Sequence, residues 1–285
     1  PEPLLYVKSF AVALIASASF VLVITKLRRA ATMSLNSISA PAIGVGMAIG
    51  FMVMKLQWAL PPGSALDRFL TIILPAAICI QWITSAERTP LWLTWLMRIC
   101  LVAAVPRILM HRSVYLEESG EWTWWQAYLV MILCSGLLGV VWLLLSRLSK
   151  KSREVVSIPL SLCLAIQTAG ASVMLAGYIK GGAVAIPMTA AVLGTAIAAG
   201  FVRKRSEANN AFHSDVLIGI AVVCLFSVLF VGHFFGRITT ASALAMMVAP
   251  TLCWAAEIRG LQRLSPWRVA AVRLAVVAIP LIIVL

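Results

Sequence analysis

Residues 215–235 read DVLIGIAVVCLFSVLFVGHFF, and this stretch decides the class of the fold. Its only acidic residue is the first, and it contains no lysine or arginine. A helix needs about 20 consecutive apolar residues to cross the hydrocarbon core of a bilayer. Because the stretch has this length and no alternation of polar and apolar residues, it predicts a transmembrane helix and not a strand of a membrane barrel.

The rest of the 285-residue chain has the same character. Hydrophobic residues make up 62% of it and charged residues 12%, whereas soluble proteins carry about 25% charged residues. The longest polar segments are about a dozen residues, too short to fold as a soluble domain. The sequence therefore predicts a single transmembrane domain over 1–285, with ten spans at 4–25, 40–60, 66–84, 90–110, 125–146, 155–178, 183–202, 215–235, 239–257 and 269–285.

The predicted fold is an all-α, polytopic integral membrane bundle. Ten spans divide into two sets of five, in halves at 1–150 and 151–285. Because each half has an odd number of spans, the second half enters the membrane in the opposite orientation to the first. Inverted repeats are built in this way. The sequence similarity between the halves is short, AIGFM at 48–52 against AAGFV at 198–202. Whether the two halves are a true inverted repeat is therefore left open.

Lysine and arginine are distributed unequally between alternate loops. Cytoplasmic loops carry these residues in excess. Six lie on the side of both termini: Lys8, Arg68, Arg107, Arg112, Lys180 and Arg237. Fourteen lie on the other side: Lys26, Arg28, Arg29, Arg88, Arg147, Lys150, Lys151, Arg153, Arg203, Lys204, Arg205, Arg259, Arg263 and Arg268. We expect a multi-pass protein of the cell inner membrane with both termini on the non-cytoplasmic side.

The net charge of +13 does not predict a nucleic-acid partner, because the basic residues lie in short loops and not on a folded soluble surface. All six cysteines fall within apolar runs and form no CxxC pair. The three histidines share no ligand spacing with one another or with a cysteine. The sequence therefore predicts no metal site and no cofactor.

Polar residues inside spans are the candidates for a substrate-binding site, because a buried ionisable group in a membrane is a functional hypothesis by default. Arg98 lies seven residues into its span, about 10 Å deep at about 1.5 Å per residue. With Gln81, Gln167 and Thr168 it forms the predicted substrate-binding set.

Two placements stay open for the Arg98 guanidinium. It either faces the bundle interior, against groups such as Gln81 or Gln167, or extends past Trp95 to the headgroups. Lys55 and Arg273 lie only four or five residues from span ends, so both are expected to reach the headgroups.

Small residues spaced four apart predict where helices approach closely. Gly46 and Gly50 have this spacing in the second span, and Ala190, Gly194 and Ala198 have it in the seventh. The sixth and seventh spans are expected to pair through such residues, with a tight turn at 179–182 between them. The pattern fits a helix pair that slides during transport and equally fits static packing.

Two functions are predicted from these features. The first is a small transporter or permease for an uncharged or anionic solute, and the alternative is a non-catalytic membrane subunit or scaffold with a membrane-protein partner. No carboxylate lies at mid-span, which disfavours a proton relay. An enzyme is disfavoured because the single cluster of acidic residues and histidine is a loop: His111, Glu117, Glu118 and Glu121.

Overall fold

The computed structural model describes residues 3–27, 35–56, 60–86, 89–113, 122–151, 156–205, 214–257 and 265–285, and every regular element in these ranges is helical. Most helices are uninterrupted: α1 (Pro3–Leu27), α2 (Leu35–Val53), α4 (Leu91–Leu109), α5 (Trp124–Lys151), α6 (Ser157–Leu175), α8 (Asp215–Phe234) and α10 (Pro266–Val284). The prediction of an all-α membrane bundle is confirmed.

Three of the spans are not regular α-helices throughout. Helix α3 (Ala65–Thr84) includes a π-helical turn at Phe69–Ile73, and α7 consists of Ile179–Ala183 followed by Ala185–Arg205. Helix α9 begins as an α-helix at Thr240–Val248 and continues as a 3-10 helix at Ala249–Glu257.

Within the described ranges, nine helices are long and apolar enough to cross a membrane. The remaining predicted span, 239–257, corresponds to α9, which is not one of these nine; its α-helical part has only 9 residues. The α and 3-10 parts together rise about 31 Å, at about 1.5 and 2.0 Å per residue. Helix α9 is therefore long enough to span the hydrocarbon core, about 30 Å thick, as a composite helix.

Two helix ends differ from the predicted span limits for reasons of backbone geometry. Helix α2 ends at Val53, not near residue 60, because Lys55 adopts a left-handed φ of 52°. Gly177, with φ 93°, ends α6 and places the turn before residue 179. The prediction of a tight turn at 179–182 was wrong, since these residues form the first turn of α7.

Helix α8 is the axis of the bundle. Every residue from Val216 to Gly232 is buried, and the helix packs against α2 to α7 and α9. A sequence that is apolar on all sides is expected of any membrane span, and in α8 this surface packs against other helices. The helix thereby carries its first residue, Asp215, into contact with α4.

Small residues join α1, α2 and α7. Gly46 and Gly50 lie against α1, where a Cβ on Gly46 would come within 2.9 Å of the Ala13 carbonyl oxygen. A Cβ on Gly194 would collide with the Leu14 carbonyl oxygen and with Ser17 Oγ, also on α1. Gly194 therefore contacts α1. The prediction from the sequence, that Gly194 packs against the sixth span (α6), was wrong. Ala190 and Ala198 are buried in the same helix.

Candidate functional site

An ion pair joins α4 to the start of α8. Arg98 Nη2 lies 3.1 Å from Asp215 Oδ2, and the two side chains are 12% and 16% exposed. The guanidinium carbon of Arg98 also lies 5.5 Å from the centre of the Trp142 ring on α5, within the range of a cation–π interaction. Of the two placements open for Arg98, the structure has the one that faces the bundle interior.

The helix register explains why these residues meet. Asp215 is the first residue of α8, where the positive end of the helix dipole favours a carboxylate. Arg98 lies seven residues after the start of α4, and Trp142 lies nine residues before the end of α5. All three lie towards the basic end of the bundle, defined as the end that carries the exposed residues Lys150, Lys151, Arg203 and Lys204.

Gln81 on α3 is fully buried. Its side-chain amide and the Trp142 ring both lie against Gly219, one turn of α8 beyond Asp215. A Cβ on Gly219 would collide with Gln81 Nε2 and lie 2.9 Å from the Trp142 ring. The glycine therefore lets an amide and an indole approach the backbone of the central helix.

Buried polar atoms with no hydrogen-bond partner among the described residues are concentrated here. Six such atoms belong to five side chains, which we call the polar cluster: Gln81 Nε2 and Oε1, Arg98 Nε, Trp142 Nε1, Ser146 Oγ and Asp215 Oδ1. A buried donor or acceptor without a partner costs about 1–3 kcal/mol. Native proteins normally satisfy such atoms with ordered water or a ligand.

A cavity of about 150 Å³ opens between α4 and α5 next to the cluster. Arg98, Trp142 and Ser146 line it together with apolar side chains, among them Trp95 and Val102. The volume is sufficient for a few water molecules or one small solute, since a water in the liquid occupies about 30 Å³. Cavity and polar cluster therefore share three side chains.

A second ion pair lies between α9 and α10. Arg273 Nη2 lies 2.7 Å from Glu257 Oε1, and Arg273 Nη1 donates a hydrogen bond of 2.6 Å to Ser157 Oγ on α6. Arg273 is only 1% exposed, so the expectation that it reaches the headgroups was wrong. Lys55, in contrast, is exposed just beyond the end of α2.

The other predicted binding residues lie apart from the polar cluster. Gln167 is on an exposed face of α6, and Thr168 Oγ1 donates to the Leu164 carbonyl oxygen at 2.9 Å. His111 is exposed, whereas Glu117, Glu118 and Glu121 lie outside the described residues. In the described part of the chain, no three His, Cys, Asp or Glu side chains come together as metal ligands.

Three members of the polar cluster, Asp215, Trp142 and Ser146, were not predicted as site residues from the sequence. Asp215 lies at a span end, where a carboxylate is ordinarily solvated. Its position at the basic end of a fully apolar span was nevertheless a usable signal, because Arg98 enters the bilayer from the same end. Trp142 and Ser146 carry no such signal, since Trp and Ser are common in spans for other reasons.

Comparison with known family models and with curated proteins finds no match for this chain.

Proposed function

We propose that this polytopic membrane protein is a permease for a small polar solute, uncharged or singly anionic, which binds at the polar cluster. The observation that supports this proposal is the concentration, in the polar cluster, of six buried polar atoms that have no hydrogen-bond partner among the described residues. Buried polar atoms are normally satisfied by ordered water or by a ligand, so a cluster of them beside a cavity supports a binding site for a small polar solute.

The unpartnered atoms favour a solute that accepts hydrogen bonds. Arg98 Nε, Trp142 Nε1 and Gln81 Nε2 are donors, and the Ser146 hydroxyl can donate as well. The acceptors are Gln81 Oε1 and Asp215 Oδ1. Asp215 already balances the charge of Arg98, so the site as a whole is close to neutral, and this disfavours solutes with two or more charges.

The membrane placement is part of the same proposal. We place the basic end of the bundle in the cytoplasm and both termini on the opposite side of the cell inner membrane, following the unequal distribution of lysine and arginine. In this orientation the polar cluster lies in the cytoplasmic half of the bilayer.

The alternative function is that of a non-catalytic membrane subunit. The burial of α8 from Val216 to Gly232 favours it, because a solid central helix is expected in a scaffold as much as in a transporter. The two functions differ in whether the polar cluster is reached by solutes from water.

Permeation of four small solutes into reconstituted vesicles tests the proposal. Proteoliposomes are mixed with an excess of glycerol, urea, acetate or nitrate, and reswelling is followed by stopped-flow light scattering. We expect at least one of these solutes to enter wild-type vesicles faster than protein-free vesicles. The Gln81→Leu variant should lose this increment, because leucine removes an amide donor and acceptor from the cluster.

The matched control is Gln167→Leu, which makes the same change on an exposed face of α6, outside the cluster. It should retain the wild-type rate. Equal rates for wild-type, Gln81→Leu and protein-free vesicles with all four solutes would contradict the permease and favour the subunit. Loss of permeation in Gln167→Leu with retention in Gln81→Leu would place the site on α6 instead.

A further inference from the structure

A second, larger cavity lies away from the polar cluster. It has a volume of about 570 Å³ and lies between α5, α8 and α9. Of the described residues that line it, all except His233 and Thr240 are apolar or aromatic. On α8 it is lined by residues 226–234, in the half of the helix opposite Asp215, so it belongs to the opposite end of the bundle. We call it the apolar crevice.

One wall of the crevice is a row of aromatic rings. Phe226, Phe230 and Phe234 follow one another at one-turn intervals on α8, with ring centres 5.6 and 4.4 Å apart. Trp122 meets Phe234 edge to face, at 6.0 Å between centres. At about 1.5 Å rise per residue, the row extends about 12 Å inward from the end of α8.

The crevice is open to the surroundings of the bundle. Leu133 on α5 and Leu244 on α9 both line it, and they are 62% and 45% exposed. In a membrane the surroundings at this depth are acyl chains, and a slot between helices is filled by a chain end more readily than by water.

Among the described residues that line the crevice, the polar ones lie where it approaches the membrane surface. His233 is in the last turn of α8, and Thr240 is the first residue of the α-helical part of α9. Arg237, which is exposed, lies between them in the connecting loop. An apolar slot with a cation at the headgroup level is complementary to an anionic phospholipid. The slot takes the acyl chain, and basic residues near the membrane surface attract anionic headgroups.

We propose that the apolar crevice is a specific lipid site, which holds one acyl chain of an anionic phospholipid with its phosphate near Arg237. The proposal does not depend on a permease function, because the crevice and the polar cluster have no lining residue in common.

Native mass spectrometry tests it on the full chain, purified and incubated with equal amounts of phosphatidylglycerol and phosphatidylcholine. We expect the wild-type protein to retain one phospholipid, with phosphatidylglycerol favoured at least several-fold. The Ala243→Trp variant, which fills the crevice from α9, should lose the bound lipid. The matched control Ala241→Trp makes the same change on the same helix at an exposed position that does not line the crevice, and it should retain the lipid.

The Arg237→Gln variant separates the headgroup from the chain. Because Arg237 is exposed, the substitution alters no buried group and should leave the fold intact. The variant should retain one phospholipid but lose the preference for phosphatidylglycerol. The proposal is overturned if wild-type protein retains no phospholipid, if it shows no preference between the two headgroups, or if Ala243→Trp and Ala241→Trp retain lipid equally.

Discussion

The Arg98–Asp215 ion pair allows a quantitative prediction about stability. Replacing Arg98 with leucine leaves the Asp215 carboxylate, 16% exposed, without its cation. Removing one partner of a buried pair costs about 3–5 kcal/mol, and the residual exposure of both side chains favours the lower end, about 3 kcal/mol. Asp215→Asn should cost a similar amount, because it leaves the Arg98 guanidinium buried without a counter-charge.

The double variant Arg98→Leu/Asp215→Asn should be more stable than the sum of the two single changes implies. It removes both charges, and replacing a whole buried pair by uncharged groups is often close to neutral. The lost cation–π contact with Trp142 contributes about 1 kcal/mol of destabilisation that the second change does not restore. We therefore expect a coupling energy of at least about 2 kcal/mol between the two positions.

The assay is the free energy of unfolding of all four proteins, measured by denaturant titration in the same detergent and followed by circular dichroism. Strictly additive losses would refute the reasoning, because they would mean that the two charges do not compensate each other in the folded protein. A double variant less stable than either single variant would refute it as well.

The remaining predictions concern packing, the second ion pair and orientation. Gly194→Leu should lower the free energy of unfolding by about 1–3 kcal/mol, because the leucine side chain would collide with the backbone of α1. The control Gly136→Leu should be close to neutral, because a Cβ at Gly136 meets nothing within 4 Å. Equal stabilities of the two variants would contradict this packing. Glu257→Gln should cost about 3 kcal/mol by the same measurement, because Arg273 loses its carboxylate; an unchanged stability would disprove that role. Lys150→Cys, in a background without the six native cysteines, should react with a membrane-impermeant maleimide only in permeabilised cells. Labelling in intact cells would contradict the proposed orientation.

Hydropathy was sufficient to predict the spans but not their internal geometry. The length of apolar runs determines where a chain crosses a bilayer, and nine predicted spans correspond to helices of the required length. The 3-10 part of α9 could not be predicted, because hydropathy depends only on which residues are present and is the same whichever helical hydrogen-bond pattern they adopt. Helix α2 ends early because of the φ angle of Lys55. A hydropathy average contains no information about backbone angles, so it could not predict this end.

The candidate site was predicted in part. Arg98 and Gln81 were predicted only because burying a polar side chain in a membrane span costs free energy at any position in the span. Arg98 and Gln81 lie close together because of the order in which helices pack around α8. The small-residue spacing in a single sequence shows which helix faces pack closely, but not which helix each one packs against. The same limitation explains why Gly194 was recognised as a packing residue but was paired with the wrong helix.

Solvent access to the polar cluster is the most direct test of the central claim, that solutes reach Arg98 and its neighbours from water. Ser146→Cys places a thiol of similar size in the cavity beside Arg98, in a background without the native cysteines. The measurement is the rate at which methyl methanethiosulfonate modifies this thiol in proteoliposomes, with and without acetate or glycerol. We expect measurable modification that at least one of these solutes slows. A thiol that does not react until the protein is denatured would contradict the permease.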